Sequence, residues 1–345
     1  MSTITIIGAG MMGSAMAFPA RENHHKVNIV GTPLDRAIID HANKTGEHLT
    51  LKRRMPEGIC YLQIEEVERA IEEADLIICG VSSFGLDWFY DNIIPKIPEK
   101  TLVLSITKGM LNLPGGRMIS YPEHMERCTK KKISFNAVGG PCTSYELADR
   151  DPTVVTFCGR NIEELRLIKS LFETSFYHIS LSTDVRGVEC AVALKNAYAL
   201  GVSLAVGLSY VREGREFEHY NSQAALFGQS IKEMLRLLQI FGGDSSNISV
   251  GAGDLYVTVF GGRTRKIGTL LGMGLSFDEA IKRLEGVTLE SIMIASRTAR
   301  ATRELIEAGK IDEKDFPLLI HIDELINGGK LVNIPWSSFE TETII

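Results

Sequence analysis

A chain of 345 residues is longer than one ordinary hydrophobic core, so two domains are expected. Its formal net charge is −6, with both signs interspersed, and the densest basic runs, at 51–54 and 129–132, are short. Because nucleic-acid backbones are bound by concentrated basic faces, nucleic acid is not expected as a partner.

The six cysteines include no C-x-x-C pair, so neither a metal site nor a redox pair is predicted. Several lie in apolar, strand-like runs, which is typical of reduced buried thiols in a cytoplasmic protein. The apolar N-terminus lacks a positive segment and is interrupted by glycines, so it does not read as a signal peptide. No segment reaches the ~18 apolar residues of a membrane span.

Short runs rich in valine and isoleucine alternate with helical patterns from residue 3 to about 182. Strands that are apolar on both faces indicate a sheet covered by helices on both sides. The first part, 1–184, is therefore predicted to be a dinucleotide-binding domain with a doubly wound, mostly parallel Rossmann-type sheet. The predicted strands are 3–7, 26–30, 75–81, 101–107, 133–138, 153–158 and 176–182.

Strand-like runs stop after Asp184, and helical periodicity follows. The second part, 185–345, is predicted to be an all-helical domain that binds substrate and carries catalysis. Its first helix is expected to begin at the junction and to line a cleft between the domains. The predicted helices are 185–208, 219–241, 276–284, 288–308 and roughly 314–327.

The segment "GAGMMG" follows the first strand and precedes a helical run, as a dinucleotide fingerprint requires. Gly8, Gly10 and Gly13 would permit a tight turn, the approach of backbone to a pyrophosphate and the packing of helix on strand. The alternative is a structural glycine-rich turn.

The second strand ends in "NIVGTPLD", where an acid that selects NAD would lie near Gly31 or Thr32. Neither residue is acidic, and Asp35 comes three or four residues later. Thr32 could donate to a 2′-phosphate, and Arg36 could lie close by. The pattern favours NADP(H), and the alternative is that NAD and NADP are both accepted.

Lys108 in "SITKGM" lies just past a central strand, at the edge where doubly wound folds bind ligands. The alternative is a surface lysine that caps a turn. The next strand is followed by Gly139 and Gly140, which could present backbone N–H groups to a ligand. Capping of a helix by Thr143 or Ser144 explains this segment equally well.

The run "VALKNAYALG" places Lys195 and Asn196 in an otherwise apolar helix that also contains Glu189. A buried lysine needs a cleft or a carboxylate, whereas the alternative is a side chain that extends to the surface.

The segment "GAGDLYVTVFGGRTRKIG" is read as a loop-rich stretch between helices. It combines Asp254 and Thr258 with Arg263 and Arg265, and arginine is suited to bidentate binding of phosphate. Exposed arginines at a helix start are the alternative, chiefly for Arg265.

With these blocks in this order, the chain resembles the NAD(P)-dependent sn-glycerol-3-phosphate dehydrogenases over nearly its whole length. The matching blocks are "GAGMMG", "TKGM", "GGPCTSYELADRDPT", "ALKNAYALG", "GAGDLYVTVFGGRTRK" and "TLES". The resemblance implies reversible hydride transfer between nicotinamide C4 and C2 of dihydroxyacetone phosphate, which yields sn-glycerol 3-phosphate. It also makes a homodimer plausible.

The resemblance implies roles for individual residues. Lys195 would exchange a proton with the substrate oxygen, and Lys108 and Asp254 would complete the catalytic group. Arg263 would bind the substrate phosphate near the cofactor. The implied substrate-binding residues are Lys108, Gly140, Cys142, Lys195, Asn196, Asp254, Thr258, Arg263 and Thr264. The implied cofactor-binding residues are Gly8, Gly10, Met11, Met12, Gly13, Thr32, Lys108, Ser144, Arg263 and Glu290.

Three positions depart from the family pattern. Cys142 stands where Ser or Thr is usual, Thr264 where Asn is usual, and Ser291 where Gly is usual. A four- or five-carbon sugar or polyol phosphate is therefore an alternative substrate. A catalytically idle NAD(P)-binding sensor is another alternative. A β-hydroxyacid dehydrogenase is a third, although there the lysine and asparagine lie one turn apart.

Overall fold

The computed structural model describes residues 1–215, 219–284 and 290–340, which form parts of two compact units. The first, here the sheet unit, comprises Met1–Lys108 and Ser120–Glu189, and the second, here the helical unit, comprises Gly109–Ile119 and Cys190–Ile345. The division expected after residue 184 lies just before the observed one, and 109–119 were expected in the first part. The first of these differences arises because one long helix, Val185–Glu213, runs through the boundary.

The strands lie close to their predicted positions. They are β1 Thr3–Ile7, β2 Lys26–Val30, β3 Ile59–Leu62, β4 Leu76–Cys79, β5 Leu102–Ser105, β6 Met110–Leu113, β7 Arg117–Ser120, β8 Ser134–Gly139, β9 Thr153–Cys158 and β10 Tyr177–Ser182. The seven predicted strands are present, whereas β3, β6 and β7 were not predicted.

The helices are more numerous than the sequence predicted. They are α1 Met11–Ala15, α2 Ala17–Glu22, α3 Arg36–Thr45, α4 Val67–Glu72, α5 Leu86–Asn92, α6 Tyr121–Cys128, α7 Ser144–Ala148, α8 Ile162–Phe172, α9 Val185–Glu213, α10 Tyr220–Ile240, α11 Ile248–Val259, α12 Gly262–Gly272, α13 Phe277–Arg283, α14 Glu290–Glu307 and α15 Pro317–Ile326. Each predicted helix of the second part is present, but the start of 288–308, residues 288 and 289, lies outside the described residues.

The sheet unit contains one eight-stranded sheet in the order β10-β9-β8-β5-β4-β1-β2-β3. Its neighbours pair in parallel except β8 and β9, which are antiparallel. The mostly parallel, doubly wound sheet is thus confirmed. Strand order reverses at β1 and β4, so the carboxyl ends of these strands lie where such folds bind ligands.

The helical unit contains the hairpin of β6 and β7 in addition to its helices, whereas the described residues of 185–345 form helices as predicted. Contacts with α14 hold the hairpin there. Asn112 donates its side-chain N–H to the Arg297 carbonyl over 2.8 Å, and the Gly116 N–H donates to the Glu304 carboxylate over 2.7 Å. The hairpin therefore belongs with the helices although it interrupts the sheet unit in the chain.

The prediction of a loop-rich stretch at 251–268 is wrong, because these residues form most of α11 and α12. Two of their glycines, Gly251 and Gly268, lie where these helices approach α9. A Cβ on Gly251 would come within 2.8 Å of the Ala191 carbonyl oxygen, and one on Gly268 within 2.6 Å of the Leu200 carbonyl oxygen. Here glycine permits close helix packing rather than a loop.

Helix α9 is apolar on nearly every side because other helices surround it. Among the described residues it is the one helix long and apolar enough to cross a membrane, yet 83% of its most apolar window is buried inside the protein. Such burial is typical of a core helix.

A buried carboxylate stabilises the start of α15. Each oxygen of Glu233 accepts two hydrogen bonds, one from the Leu318 or Leu319 N–H and one from Tyr198 or Gln229, over 2.8–2.9 Å. Burial raises the pKa of Glu233 to about 7, although the four hydrogen bonds from these donors lower it. The carboxylate therefore replaces the hydrogen-bond partners that a helix N-terminus lacks.

The Glu233→Gln variant tests this arrangement. An amide would turn its NH₂ group towards two donors, and a buried unsatisfied donor costs ~1–3 kcal/mol. We expect chemical denaturation at about pH 8, where the carboxylate is charged, to show a loss of this size.

The exposed Glu307→Gln change on α14 is the matched control and should leave stability unchanged. Because the pKa of Glu233 is raised in the folded state, its contribution falls as pH rises from 4.5 to about 7. The variant should lack that part of the pH dependence. Equal stability of both variants and wild type would contradict this account.

Candidate active site

The glycine turn after β1 has the geometry of a nucleotide-binding loop. Gly8 has a φ of +110°, and a Cβ there would lie 2.7 Å from the Gly80 carbonyl carbon. A Cβ on Gly13 would lie 2.5 Å from the Gly8 oxygen, whereas one on Gly10 would meet nothing closer than 4.0 Å. Gly8 and Gly13 are thus required by the packing of the fold. Gly10 instead leaves open space beside the backbone, which fits a pyrophosphate.

Asp35 lies beside this turn, although it comes three or four residues after the position expected for an acid that selects NAD. One carboxylate oxygen accepts hydrogen bonds from the Thr32 N–H (2.9 Å), the Thr32 hydroxyl (2.7 Å) and the Ala9 N–H (3.2 Å). Asp35 immediately precedes α3, and a Thr-x-x-Asp turn before a helix is the sequence signal that would have found it.

The reasons for favouring NADP(H) become weaker in the structure. Arg36 forms an ion pair with the Glu65 carboxylate, and the Thr32 hydroxyl donates to Asp35. Neither group is therefore held ready for a 2′-phosphate. The preference between NAD and NADP stays a prediction.

Two further predicted residues meet at the ends of the neighbouring strands β5 and β8. The Lys108 ammonium donates to the Gly140 carbonyl oxygen over 2.9 Å. Cys142 follows, partly buried, and Thr143 caps α7 by accepting from the Glu146 N–H over 3.3 Å. Ser144 is the first residue of that helix, so Thr143 takes the capping role left open between them.

Glu189 is wholly buried, and in the described part of the chain neither carboxyl oxygen has a hydrogen-bond partner. Burial raises the pKa of Glu189 well above its usual range, although the nearby Lys108 charge lowers it. Burial therefore favours the neutral, protonated form of this carboxyl group beside Lys108.

The clearest candidate for a catalytic arrangement lies on α9 and α11. The Lys195 ammonium donates to an Asp254 carboxylate oxygen over 3.0 Å and to the Thr258 hydroxyl over 2.8 Å. Thr258 in turn donates its proton to the Asp254 carbonyl over 2.7 Å, so its oxygen is oriented to accept from the lysine. The side chains of Lys195 and Asp254 are only 12% and 2% exposed. The lysine is thus held by a carboxylate, as the sequence predicted for a buried lysine, rather than extended to the surface.

The two arginines differ in their surroundings. Arg263 is exposed at the start of α12, and its guanidinium lies 3.9 Å from the Glu290 carboxylate, the loose end of ion-pair distance. Arg265 donates to the Val259 carbonyl over 2.8 Å. Arg263 is therefore accessible to an anion, whereas Arg265 has the structural role that the sequence analysis left open for it.

The contacts of the remaining predicted residues do not define a role for them. Met11 is half-exposed at the start of α1 and accepts the Tyr145 hydroxyl at 3.4 Å, with Met12 beside it. Asn196 follows Lys195 on α9 and is partly buried, and Thr264 is buried on α12. Within the described residues, no three His, Cys, Asp or Glu side chains form a metal site.

The different environments of Gly8 and Gly10 give a sharp test. Gly8→Ala should destabilise the sheet unit, because its backbone conformation and the Gly80 contact both exclude a side chain. Gly10→Ala should leave the melting temperature unchanged but weaken binding of NAD(P)H, because the added methyl occupies the open space. Thermal unfolding and cofactor titration of each variant measure the two effects. A Gly10→Ala protein with unaltered cofactor affinity would contradict the assignment.

Two family models match this chain and together cover most of it. The "NAD-dependent glycerol-3-phosphate dehydrogenase N-terminus" matches residues 3–164, and the corresponding "C-terminus" matches 184–335. The NADP(+)-dependent glycerol-3-phosphate dehydrogenase of Archaeoglobus fulgidus is 32% identical over 82% of this chain and 83% of its own length. A Bacillus pumilus glycerol-3-phosphate dehydrogenase [NAD(P)+] is 27% identical over 96% and 92%, respectively.

The fold agrees with a solved glycerol-3-phosphate dehydrogenase from Plasmodium falciparum. That structure superposes with a TM-score of 0.82 at 20% identity and covers 100% of this chain and 96% of its own. The family matches span both units, and the curated relatives align over most of their lengths. The chain belongs to the NAD-dependent glycerol-3-phosphate dehydrogenase family.

Proposed function

We propose that this protein catalyses reversible hydride transfer between NAD(P)H and C2 of dihydroxyacetone phosphate, giving sn-glycerol 3-phosphate. The observation that carries the proposal is the Lys195 ammonium, which Asp254 and Thr258 hold in an otherwise apolar helix. A stability role alone is a poor explanation, because a buried ion pair seldom stabilises more than apolar residues of the same size.

When bound, the nicotinamide cofactor supplies or accepts the hydride. Lys195 donates a proton to the substrate carbonyl oxygen during reduction and recovers it from the alcohol during oxidation. Asp254 keeps the lysine charged before the reaction, and the oriented Thr258 oxygen fixes the direction of its side chain. Because Lys195 is not fully enclosed, solvent can return the proton after each turnover.

Charge complementarity supports a phosphorylated substrate. Arg263 is exposed, and its pairing with Glu290 at 3.9 Å is weak, so a phosphate dianion can replace that contact with two stronger hydrogen bonds. We assign Arg263 to the phosphate, and Glu290, once released from that pair, to the cofactor.

We further propose that the enzyme is cytoplasmic and homodimeric. The cysteines are free thiols, three of them buried, which supports a reducing compartment. Membership of the family supports the dimer.

The alternatives from the sequence analysis are not favoured. An idle cofactor sensor would have no use for the complete set of Lys195, Asp254 and Thr258 contacts. A β-hydroxyacid dehydrogenase would bind a carboxylate, and both family matches name glycerol 3-phosphate instead.

The Lys195→Ala variant tests the proton-transfer role. Loss of an acid–base group lowers turnover by at least ~10²-fold. We expect kcat for dihydroxyacetone phosphate to fall by this factor while the Kd of NAD(P)H is unchanged. Lys266→Ala, on the exposed side of α12, is the matched control and should retain full activity. Undiminished kcat in Lys195→Ala would remove this residue from the mechanism.

A substrate screen tests the reaction itself. Dihydroxyacetone phosphate and four- and five-carbon ketose phosphates should each be assayed with NADH and NADPH in parallel, through the absorbance of the reduced nicotinamide. We expect dihydroxyacetone phosphate to give the highest kcat/KM. A higher kcat/KM for a longer ketose phosphate would contradict the proposed substrate and point to the altered position Cys142.

A further inference from the structure

The central peptide groups of the glycine turn are held from two sides. Ala9 lies between Gly8 and Gly10, and its N–H donates to the Asp35 carboxylate over 3.2 Å. Its carbonyl oxygen, on the following peptide, accepts from Nε2 of His48 over 2.9 Å. Both partners come from segments distant in the chain, so the turn does not depend on its own glycines alone for its shape.

The partners of His48 determine its protonation state. Its ring is almost fully buried, and its Nδ1 accepts from the Leu51 N–H over 2.9 Å and from the Thr50 N–H over 3.3 Å. A carbonyl can only accept, so Nε2 carries the proton, whereas Nδ1 must remain unprotonated. The arrangement therefore requires a neutral ring.

Asp35 joins the same turn to the end of β2. The oxygen that accepts from Ala9 also accepts from the Thr32 N–H and hydroxyl. A carboxylate that accepts several donors holds them more strongly than a neutral acceptor would. Asp35 and His48 thus connect the turn to β2 on one side and to the segment 48–51 on the other.

We propose that Asp35 and His48 are positioning residues for the cofactor, which fix the peptide groups of Ala9 so that the open backbone at Gly10 is presented to the pyrophosphate. The proposal rests on the dinucleotide-binding part of the proposed function. A preformed turn loses little conformational entropy on binding, so its loosening weakens cofactor affinity and leaves the chemical step unchanged.

The same geometry predicts how cofactor affinity depends on pH. A proton on Nδ1 of His48 would oppose the Leu51 N–H and release the ring from its place. Burial lowers the pKa of His48 below 6.5. The charge of Asp35 raises this pKa, and His41 on α3 lowers it further. Because the arrangement requires a neutral ring, affinity is complete well above this lowered pKa and is lost as pH falls through it.

The experiment compares His48→Leu and Asp35→Ala with wild type in the full-length protein. Loss of one hydrogen bond to a charged or buried group corresponds to about tenfold in affinity, or ~1.4 kcal/mol. We expect the Kd for NAD⁺ and NADP⁺ to rise by about this factor, with kcat at saturation within about twofold of wild type. Asp35→Asn, which retains one acceptor oxygen, should recover part of the affinity. His41→Gln and Asp40→Asn are the controls on α3 and should bind as wild type does.

A pH series provides a second readout that does not depend on a disruptive variant. As pH is lowered from about 7.5 towards the lowest pH at which the protein stays folded, the Kd of wild type for NAD⁺ should rise, and that of His48→Gln should change much less. Unchanged Kd values in both His48→Leu and Asp35→Ala, or a flat wild-type pH profile, would overturn the proposal. A protein that follows these expectations but does not reduce dihydroxyacetone phosphate would refute the proposed reaction alone.

Discussion

A single charge on a buried helix requires a partner at hydrogen-bond distance, and in this protein glycine makes that distance possible. Lys195 on α9 and Asp254 on α11 meet at 3.0 Å with almost no solvent between them. Gly251 lies one turn before Asp254, and Ala191 lies one turn before Lys195. The two pairs therefore lie along the same contact between α9 and α11. A Cβ on Gly251 would press within 2.8 Å of the Ala191 carbonyl oxygen. A larger side chain there would separate the helices and leave the lysine charge buried without its carboxylate, which costs far more than the contact gains.

Close packing at glycine continues along α9, and it explains why the sequence analysis took α11 and α12 for a loop-rich stretch. Gly272 of α12 lies so close to α9 that a Cβ would reach 2.2 Å from the Leu204 carbonyl oxygen. Glycine weakens a helix by about 1 kcal/mol relative to alanine, so a glycine-rich segment reads as loop when it is taken alone. Here the close packing of three helices offsets that cost. Since sequence shows the propensity but not the neighbour, α11 and α12 could not be predicted, although the residues they carry could be selected by their chemistry.

The sheet was predicted well wherever burial on both faces leaves a continuous apolar run. Strands β1, β2 and β9 match their predicted bounds to the residue, and their valine and isoleucine side chains are almost all buried. Strand β3 was missed because it lies at the edge of the sheet, is only four residues long and is half-exposed. An edge strand of that length has neither the run nor the alternation by which strands are recognised. The antiparallel pairing of β8 with β9 could not be predicted from composition either, because the direction of pairing depends on the path of the connecting segment.

Some residues of the candidate site could be predicted from their position at strand ends, whereas others come together only in the folded chain. The glycine turn and Lys108 follow central strands, and parallel strands bring such residues to one edge. Asp35 was missed because a short turn brings it back to Thr32 and Ala9, and this proximity cannot be seen from its position in the sequence.

The three departures from the family pattern are likewise distinguished only by the structure. Thr264 and Ser291 are 8% and 3% exposed, so they adjust packing and offer little surface to a ligand. Cys142 is only partly buried and follows Gly140, whose carbonyl binds Lys108. Of the three, Cys142 is therefore the one most accessible to a ligand.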